Sequence, residues 1–457
     1  MESIWTKYAG NKIKPVMSFN EEYRVFLSNS KTEREYVSNS IALAKKAGFK
    51  DLLTVKKLKA GDKVYYNNRG KSLMLYVVGK EKIENGLNIL GAHVDSPRLD
   101  LKQHPLYEDN GLVLLDTHYY GGIKKYQWVA QPLALHGVVC KKDGSVKQVV
   151  IGEDPTDPVV GVSDLLIHLA ADQMKKTGAN IVEGEDLNVL FGSIPASGKK
   201  EEKDLVKKNI LDILKKKYDI EEDDFISAEL EVVPAGQARD YGLDRSMIIG
   251  YGQDDGVCAY TSLRAILEME NPERTSCCIL SDKEEVGSQG NTGMQSRAFE
   301  NSLAELMDKK SEYSELGMRR CLTHSMMLSS DVSAAYDPNY PSVSSPNNNN
   351  ATFGRGIVFN KYTGSRGKSG SNDANPEFIA KIRKVLDDNK INYQTSELGK
   401  VDQGGGGTIA YILANMDVEV IDAGIALQNM HACWEVTSKV DVYEAYLAYK
   451  AFLKDIK

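Results

Sequence analysis

Five residues of the types that bind divalent metal ions stand close behind short apolar runs in this chain: His93, Asp254, Glu285, Asp331 and His431. Short apolar runs of this kind are typical of buried strands. In an open α/β sheet the carboxyl ends of the strands lie along one edge, so residues at those ends converge even when they are far apart in sequence. Two imidazoles and three carboxylates form a mixed nitrogen and oxygen donor set, which suits zinc and, less exclusively, cobalt or manganese. The pattern therefore predicts a metal site.

The number of carboxylates favours two metal ions over one. Two divalent ions roughly 3.5–4 Å apart need a bridging carboxylate and about two further ligands each. One assignment fills this scheme: Asp254 bridges the ions, His93 and Asp331 bind one of them, and Glu285 and His431 bind the other. A water activated by the ions also needs a carboxylate that is not a ligand, to accept its proton. Glu284, next to Glu285, is the candidate general base.

Each of these motifs has an ordinary structural explanation when it is taken alone. An isolated His-x-Asp is often an accident of composition, a Glu-Glu pair is often part of a solvated helix surface, and Asp-Asp-Gly often forms a turn. A single histidine after an apolar stretch, such as His431, is often a core residue with satisfied hydrogen bonds. The joint occurrence of the motifs in one order, each near a predicted strand end, favours the metal site.

The apolar patterning predicts the strands that carry these residues and the helices that cover them. The predicted strands include 72–79, 87–92, 277–281, 325–330 and 419–423, and the predicted helices include 257–268, 375–386 and 441–454. The middle of the chain has many short strand-like stretches punctuated by glycine and proline, with one predicted helix at 165–174. This order predicts an α/β domain formed by residues 1–104 and 247–457, interrupted by a mostly β domain at 105–246.

Composition excludes several classes of partner. The chain has 457 residues, with 57 basic and 64 acidic side chains and a formal net charge of -7, so it has no basic field that would collect nucleic acid. No stretch approaches the roughly 20 apolar residues of a membrane span, and the N-terminus has no basic stretch leading into an apolar one. None of the six cysteines has the two-residue spacing of a zinc ribbon or a redox motif. We expect a cytoplasmic protein that binds neither nucleic acid nor membrane.

The chain resembles the aspartyl aminopeptidase family of cocatalytic zinc exopeptidases. The segments that carry the resemblance follow one another through most of the chain: Ala92–Pro97, Asp254–Asp255, Asp282–Ser288, Ser330–Asp331, Pro338–Tyr340, Asp402 with Gly407–Ile409, and Met430–His431. The family implies a catalytic α/β/α sandwich with a mixed central sheet, interrupted by a β-rich dimerisation domain. It also implies a homo-oligomer, a tetrahedral dodecamer built from dimers.

The resemblance implies the same five ligands for two divalent metal ions per subunit, foremost zinc, and Glu284 as the general base. Asp95 would accept a hydrogen bond from His93 and fix its tautomer. His168 matches a family histidine that reaches a neighbouring active site and stabilises the oxyanion; the alternative is a histidine on a helix surface. Lys361 lies close to the position of a family lysine that contacts an acidic substrate side chain, in an ambiguous register.

We therefore expect a metalloaminopeptidase that removes the N-terminal residue from peptides with a free N-terminus. The family implies a preference for Asp or Glu, with neutral residues as an alternative, because Ala334 and Asp337 stand where related members have histidines. Two other functions remain open. One is a two-metal deacylase of N-acyl amino acids, and the other is a dodecameric scaffold without catalytic activity.

Overall fold

The computed structural model describes residues 3–198, 203–347 and 349–457. They form two compact units. The first unit takes the described residues of Met1–Asp95, Ala238–Met430 and Glu435–Lys457, and the second takes those of Ser96–Gln237 and His431–Trp434. Among the described residues, every helix is too short or too polar to span a membrane.

The α-helices of the described residues are α1 (Ile13–Ser28), α2 (Glu33–Lys46), α3 (Leu205–Tyr218), α4 (Gln253–Leu267), α5 (Ala298–Lys309), α6 (Glu315–His324), α7 (Pro376–Asp388), α8 (Ala410–Ala414) and α9 (Lys439–Asp455). The strands of the first half are β1 (Lys50–Asp51), β2 (Lys63–Asn68), β3 (Ser72–Val77), β4 (Leu87–His93), β5 (Arg98–Asp109), β6 (Leu112–Tyr120), β7 (Leu133–Cys140), β8 (Val146–Ile151), β9 (Gly161–Val162), β10 (Val189–Gly192) and β11 (Ala228–Pro234). The later strands are β12 (Arg239–Tyr241), β13 (Met247–Gly250), β14 (Thr275–Ser281), β15 (Met326–Ser329), β16 (Ser333–Ala334), β17 (Ile357–Asn360), β18 (Tyr393–Thr395), β19 (Glu419–Gly424), β20 (Ala426–Gln428) and β21 (Glu435–Ser438).

The first unit is built on a nine-stranded sheet of order β1-β2-β3-β14-β4-β15-β19-β17-β18. Strands β14, β4, β15 and β19 run parallel at its centre, whereas β3 and β17 pair antiparallel with their neighbours. A smaller sheet of order β12-β13-β21-β20-β16 belongs to the same unit. The predicted α/β fold with a mixed central sheet is thus confirmed.

Helices cover both faces of the large sheet, because its strands are apolar on both sides. In β4, Leu90 and Ala92 pack into a core with α1, α2, α4, α7 and α9. Leu87 and Ile89, which point to the opposite face, pack into a second core with α5, α6 and α8. All seven residues of β4 are buried, as expected for a parallel strand between two helical layers.

The second unit is a seven-stranded antiparallel sheet of order β8-β7-β11-β5-β6-β10-β9, with α3 as its α-helix among the described residues. The predicted boundary at residue 104 falls inside β5, which belongs to this sheet from Arg98 onward. The predicted boundary at 246 falls between β12 and β13, which pair with each other in the first unit. The dimerisation role of this unit stays a prediction.

The predicted helix at 165–174 is wrong. Only short 3-10 turns form there, at Ile167–Leu169 and Gln173–Lys175. Leu166, Ile167 and Leu169 are 58%, 62% and 74% exposed, so the large apolar side chains of this turn do not pack within its unit. Without such packing a short helix is not stable in water.

Candidate metal centre

Parallel pairing aligns the strand ends that carry three of the expected ligands. His93 is the last residue of β4, and it is level with Ser281, the last residue of β14. On the other side of β4, Ser329 ends β15 level with Gly91. The residues that follow these ends, Glu285 and Asp331, therefore leave the sheet at the edge where His93 lies.

The start of α4 brings in the aspartates from another direction. Gly252, before the helix, has the left-handed φ of 74° that glycine adopts without strain. Asp254 and Asp255 are buried and have non-helical backbone angles, and the peptide bond between them is cis. Glu435 accepts hydrogen bonds at its Oε2 from the backbone N–H groups of Gln253 (2.7 Å) and Asp254 (3.1 Å).

Two groups of three potential ligands meet at His93. One contains His93, Asp254 and Glu285, and the other contains His93, Asp255 and Asp331. In each group the candidate donor atoms lie within 4.8 Å of one another. Nε2 of His93 is 3.2 Å from Oδ1 of Asp254. The structure thus brings together four of the five ligands expected from the sequence.

Asp255 is a residue that the sequence interpretation missed. It is fully buried, its Oδ2 accepts the backbone N–H of His93 at 3.3 Å, and its Oδ1 has no hydrogen-bond partner among the described residues. Its place directly beside Asp254 in an Asp-Asp-Gly sequence was the available signal. Sequence alone does not say which of two adjacent carboxylates faces a site.

The charges of this cluster fit a divalent cation. Burial raises the pKa of Asp255 well above its usual range, and burial together with the carboxylate of Asp255 does the same for Asp331. Burial alone would lower the pKa of His93, but the carboxylates of Asp254 and Asp95 outweigh it and raise that pKa well above its usual value. A bound divalent cation would balance the charge of these crowded carboxylates in place of protons.

Asp95 links the imidazole to the adjacent glutamates. Its Oδ1 lies 3.4 Å from Nδ1 of His93 and accepts the backbone N–H of Glu284 at 3.1 Å. Its Oδ2 accepts the backbone N–H of Glu285 at 3.2 Å. Asp95 is fully buried, so these bonds fix the short turn Glu284–Val286 against the end of β4.

Glu284 lies beside the ligand groups. Its Oε2 is 3.9 Å from Nε2 of His93, and 16% of its side chain is exposed. This partial exposure sets it apart from the buried aspartates. Its carboxylate can therefore reach solvent as well as the cluster.

The remaining predicted site residues are not members of these two ligand groups. His431 belongs to the second unit, where its Nδ1 donates to the carbonyl oxygen of Gly122 at 2.8 Å. Because a carbonyl only accepts, this bond places a proton on Nδ1. His168 is exposed in the turn Ile167–Leu169 of the same unit, not on an α-helix. Lys361 forms an ion pair with Asp373.

Comparison with known proteins identifies the family. The model of the aminopeptidase I zinc metalloprotease (M18) family matches residues 26–453. A probable M18 family aminopeptidase 1 of Clostridium acetobutylicum is 59% identical over 99% of this chain and 98% of its own length. Its counterpart of Thermotoga maritima is 44% identical over 97% of both chains.

Solved structures agree with this result. The crystal structure of an M18 family aminopeptidase from Thermotoga maritima superposes with a TM-score of 0.95 at 42% identity and covers 99% of both chains. That of aminopeptidase I from Clostridium acetobutylicum superposes with a TM-score of 0.93 at 55% identity, also over 99% of both chains. The chain therefore belongs to the M18 family of zinc metalloproteases and is a zinc-dependent aminopeptidase.

Proposed function

We propose that this aminopeptidase works with two divalent metal ions, both zinc, held around His93. The observation that carries the proposal is that four carboxylates lie around His93 in two groups, Asp254 with Glu285 and Asp255 with Asp331, which together with the imidazole exceeds the four ligands of a single zinc ion. Donor atoms within 4.8 Å of one another are close enough for a common ion, because nitrogen and oxygen ligands lie about 2.0–2.2 Å from zinc.

One imidazole nitrogen binds one ion only, so a second ion requires a further donor and a shared carboxylate. Asp254 is the proposed bridge, because its Oδ1 already lies 3.2 Å from Nε2 of His93. His431 is the proposed fifth ligand on the strength of the sequence resemblance. Its bond to Gly122 supports this role, since metal-ligating histidines commonly donate their other ring N–H to a carbonyl oxygen that fixes the orientation of the ring.

Glu284 is the proposed general base. Bound zinc ions would polarise the scissile carbonyl and lower the pKa of the attacking water. The Glu284 carboxylate accepts the proton of that water and then delivers it to the leaving amine. Asp95 holds the backbone of Glu284 and Glu285, so the base and the neighbouring ligand keep one orientation. His168 is proposed to stabilise the oxyanion in a neighbouring subunit.

The proposed substrates are peptides with a free N-terminus, preferably with Asp or Glu first and with neutral residues as an alternative. This preference rests on the family resemblance. Lys361 is the proposed contact for the acidic side chain, and it would have to exchange Asp373 for the substrate carboxylate. Since this ion pair is 44–45% exposed, such an exchange costs little.

The decisive experiment is a panel of amino-acid amides with Asp, Glu, Leu and Lys as the first residue, each with a free and an acetylated amine. We expect hydrolysis of the free amines, fastest for Asp and Glu, with zinc, cobalt or manganese present. Exclusive hydrolysis of Leu would overturn the acidic preference alone. Hydrolysis restricted to the acetylated compounds would instead identify a deacylase, and no hydrolysis of any compound by the zinc-loaded protein would favour the scaffold.

The proposed assembly is a dodecamer built from dimers, with contacts made by the β-rich second unit. The exposed apolar run Leu165–Leu169 supports such a contact, because exposed apolar surface of this kind commonly marks an interface. A yeast protein of the same fold, 21% identical, is described as a dodecamer. Native mass spectrometry tests this directly: the expected species has about twelve times the chain mass of 50.5 kDa.

A further inference from the structure

A polar cavity lies in the first unit, and none of its lining residues belongs to the two ligand groups. It has a volume of about 570 Å³ and includes Tyr336, Ser344, Ser345, Thr352, Arg355 and Lys400 in its lining. A cavity of this size accommodates a small organic ligand. Its lining contains two cationic side chains and no carboxylate.

Arg355 and Lys400 are the two cations of this cavity. Neither the guanidinium of Arg355 nor the ammonium of Lys400 forms a hydrogen bond or an ion pair with any residue that the structure describes, although both side chains are half-buried. Arginine has five N–H donors in a planar fork that matches a carboxylate or a phosphate. Half-buried donors beside a cavity favour a ligand that supplies the missing acceptors.

The backbone around Arg355 is held firmly. Asp441 is buried at the start of α9, and its two carboxylate oxygens accept the N–H groups of Gly354 and Gly356, each at 2.7 Å. Gly356 has a φ of 90°, and a Cβ there would lie 2.1 Å from the carbonyl oxygen of Asn392. Arg355 therefore projects from a fixed loop.

Hydrogen bonds also hold the backbone of other lining residues. Lys400 donates its backbone N–H to the carbonyl oxygen of Val343 at 3.0 Å. The side chain of Asn350 accepts from the N–H of Ser345 and donates to its carbonyl oxygen, both at 2.8 Å. The cations and hydroxyl groups thus surround the cavity without needing a rearrangement.

We propose that this cavity binds an oxyanion, a carboxylate or a phosphate, with Arg355 and Lys400 as the charged contacts. The anion has two potential sources. One is a free small anion. The other is the C-terminal carboxylate of a short peptide substrate, since Tyr336 follows the ligand Asp331 by only five residues, a span of at most about 18 Å. The second source alone rests on the proposed function.

Calorimetric titration with inorganic phosphate and with succinate tests the binding without reference to activity. We expect saturable binding to the zinc-loaded protein, and a loss of about tenfold or more in affinity in the double variant Arg355→Gln, Lys400→Gln. The matched control is Arg319→Gln with Lys384→Gln, which removes the same charges from exposed helix positions of the same unit. If the double variant does not fold, the single variant Lys400→Gln takes its place.

The two sources are separated by the KM values of a tripeptide with a free carboxylate and of the same tripeptide as an amide. If the peptide carboxylate occupies the cavity, the double variant should have a raised KM for the tripeptide with a free carboxylate and an unchanged KM for the amide. A free anion predicts unchanged KM values together with lost phosphate binding. The proposal is overturned if phosphate, succinate and both peptides behave alike in the double variant and the control. It is also overturned if the double variant alone changes the oligomeric state, because the cations would then serve a subunit contact.

Discussion

Glu435 accepts the backbone N–H of Asp254 at 3.1 Å and is itself 2% exposed. It also accepts the N–H of Gln253 and offers its own carbonyl to the Gln253 side chain at 2.6 Å. A buried carboxylate at the first residue of β21 therefore orients the proposed bridging ligand through its backbone. The hydrogen bond between Asp254 and Glu435 connects the small sheet of the first unit to the ligand groups around His93.

Replacing Glu435 tests that orientation. Glu435→Ala leaves two buried N–H groups without their acceptor, so we expect a loss of about 10–100-fold in zinc affinity, measured by competition with a chelator. Glu435→Gln keeps one carbonyl oxygen and should retain much of the affinity. Equal zinc affinity in all three proteins would show that Glu435 has no positioning role.

Replacing Glu284 separates proton transfer from metal binding. Glu284→Gln removes the proposed base but keeps its size, so we expect kcat to fall by about 10²–10⁴-fold with the zinc content unchanged. Glu285→Gln, one residue further on, should instead lower the zinc content. Near-normal turnover by Glu284→Gln would refute the assignment of the base.

Elemental analysis of the purified protein counts the ions. We expect about two zinc ions per subunit in the parent protein and about one in Asp331→Ala, because that change removes one of only two carboxylates in its ligand group. Asp373→Ala, which removes an exposed carboxylate from the ion pair with Lys361, is the control and should leave the count unchanged. One ion in the parent protein would contradict the two-metal proposal.

Asp441 predicts a pH dependence of stability that does not involve the metals. Burial raises the pKa of Asp441 from 3.8 to about 7 in the folded protein. Between these values the unfolded chain has already released the proton that the folded chain still holds, so folding loses stability as the pH rises from about 4 to 7. Asp441→Asn removes this contribution.

The measurement compares the thermal unfolding midpoints of the parent protein and Asp441→Asn across this pH range. We expect the midpoint of the parent to fall relative to that of the variant as the pH rises towards 7, and the difference to stay constant above it. Parallel profiles of the two proteins would show that the folded-state pKa of Asp441 is not raised.

Much of the central sheet could be predicted from the sequence, because β4, β14, β15 and β19 are short, largely apolar segments. The same pattern predicts that His93, Glu285 and Asp331 lie near one another, because parallel pairing aligns the strand ends that carry or precede them. Asp254 could also be predicted as a candidate, because Asp-Asp-Gly precedes an apolar helix, and it stands in one of the two ligand groups.

Other features depend on tertiary contacts that no local pattern encodes. The inclusion of Asp255 in a ligand group depends on the non-helical start of α4, which turns adjacent carboxylates in different directions. The pairing of Lys361 with Asp373 depends on how a surface loop closes across twelve residues. The predicted helix at 165–174 failed because its apolar residues do not pack within their unit.

The position of His93 on β4 has a consequence for how the enzyme exchanges its metal. Hydrogen bonds to β14 and β15 hold β4 along both edges, and all its residues are buried. The conformation of β4 therefore does not depend on a bound ion. Loss of zinc would therefore leave β4, and His93 at its end, in place. Such a protein can be stripped and reloaded, and its activity in a cell would follow the local supply of metal.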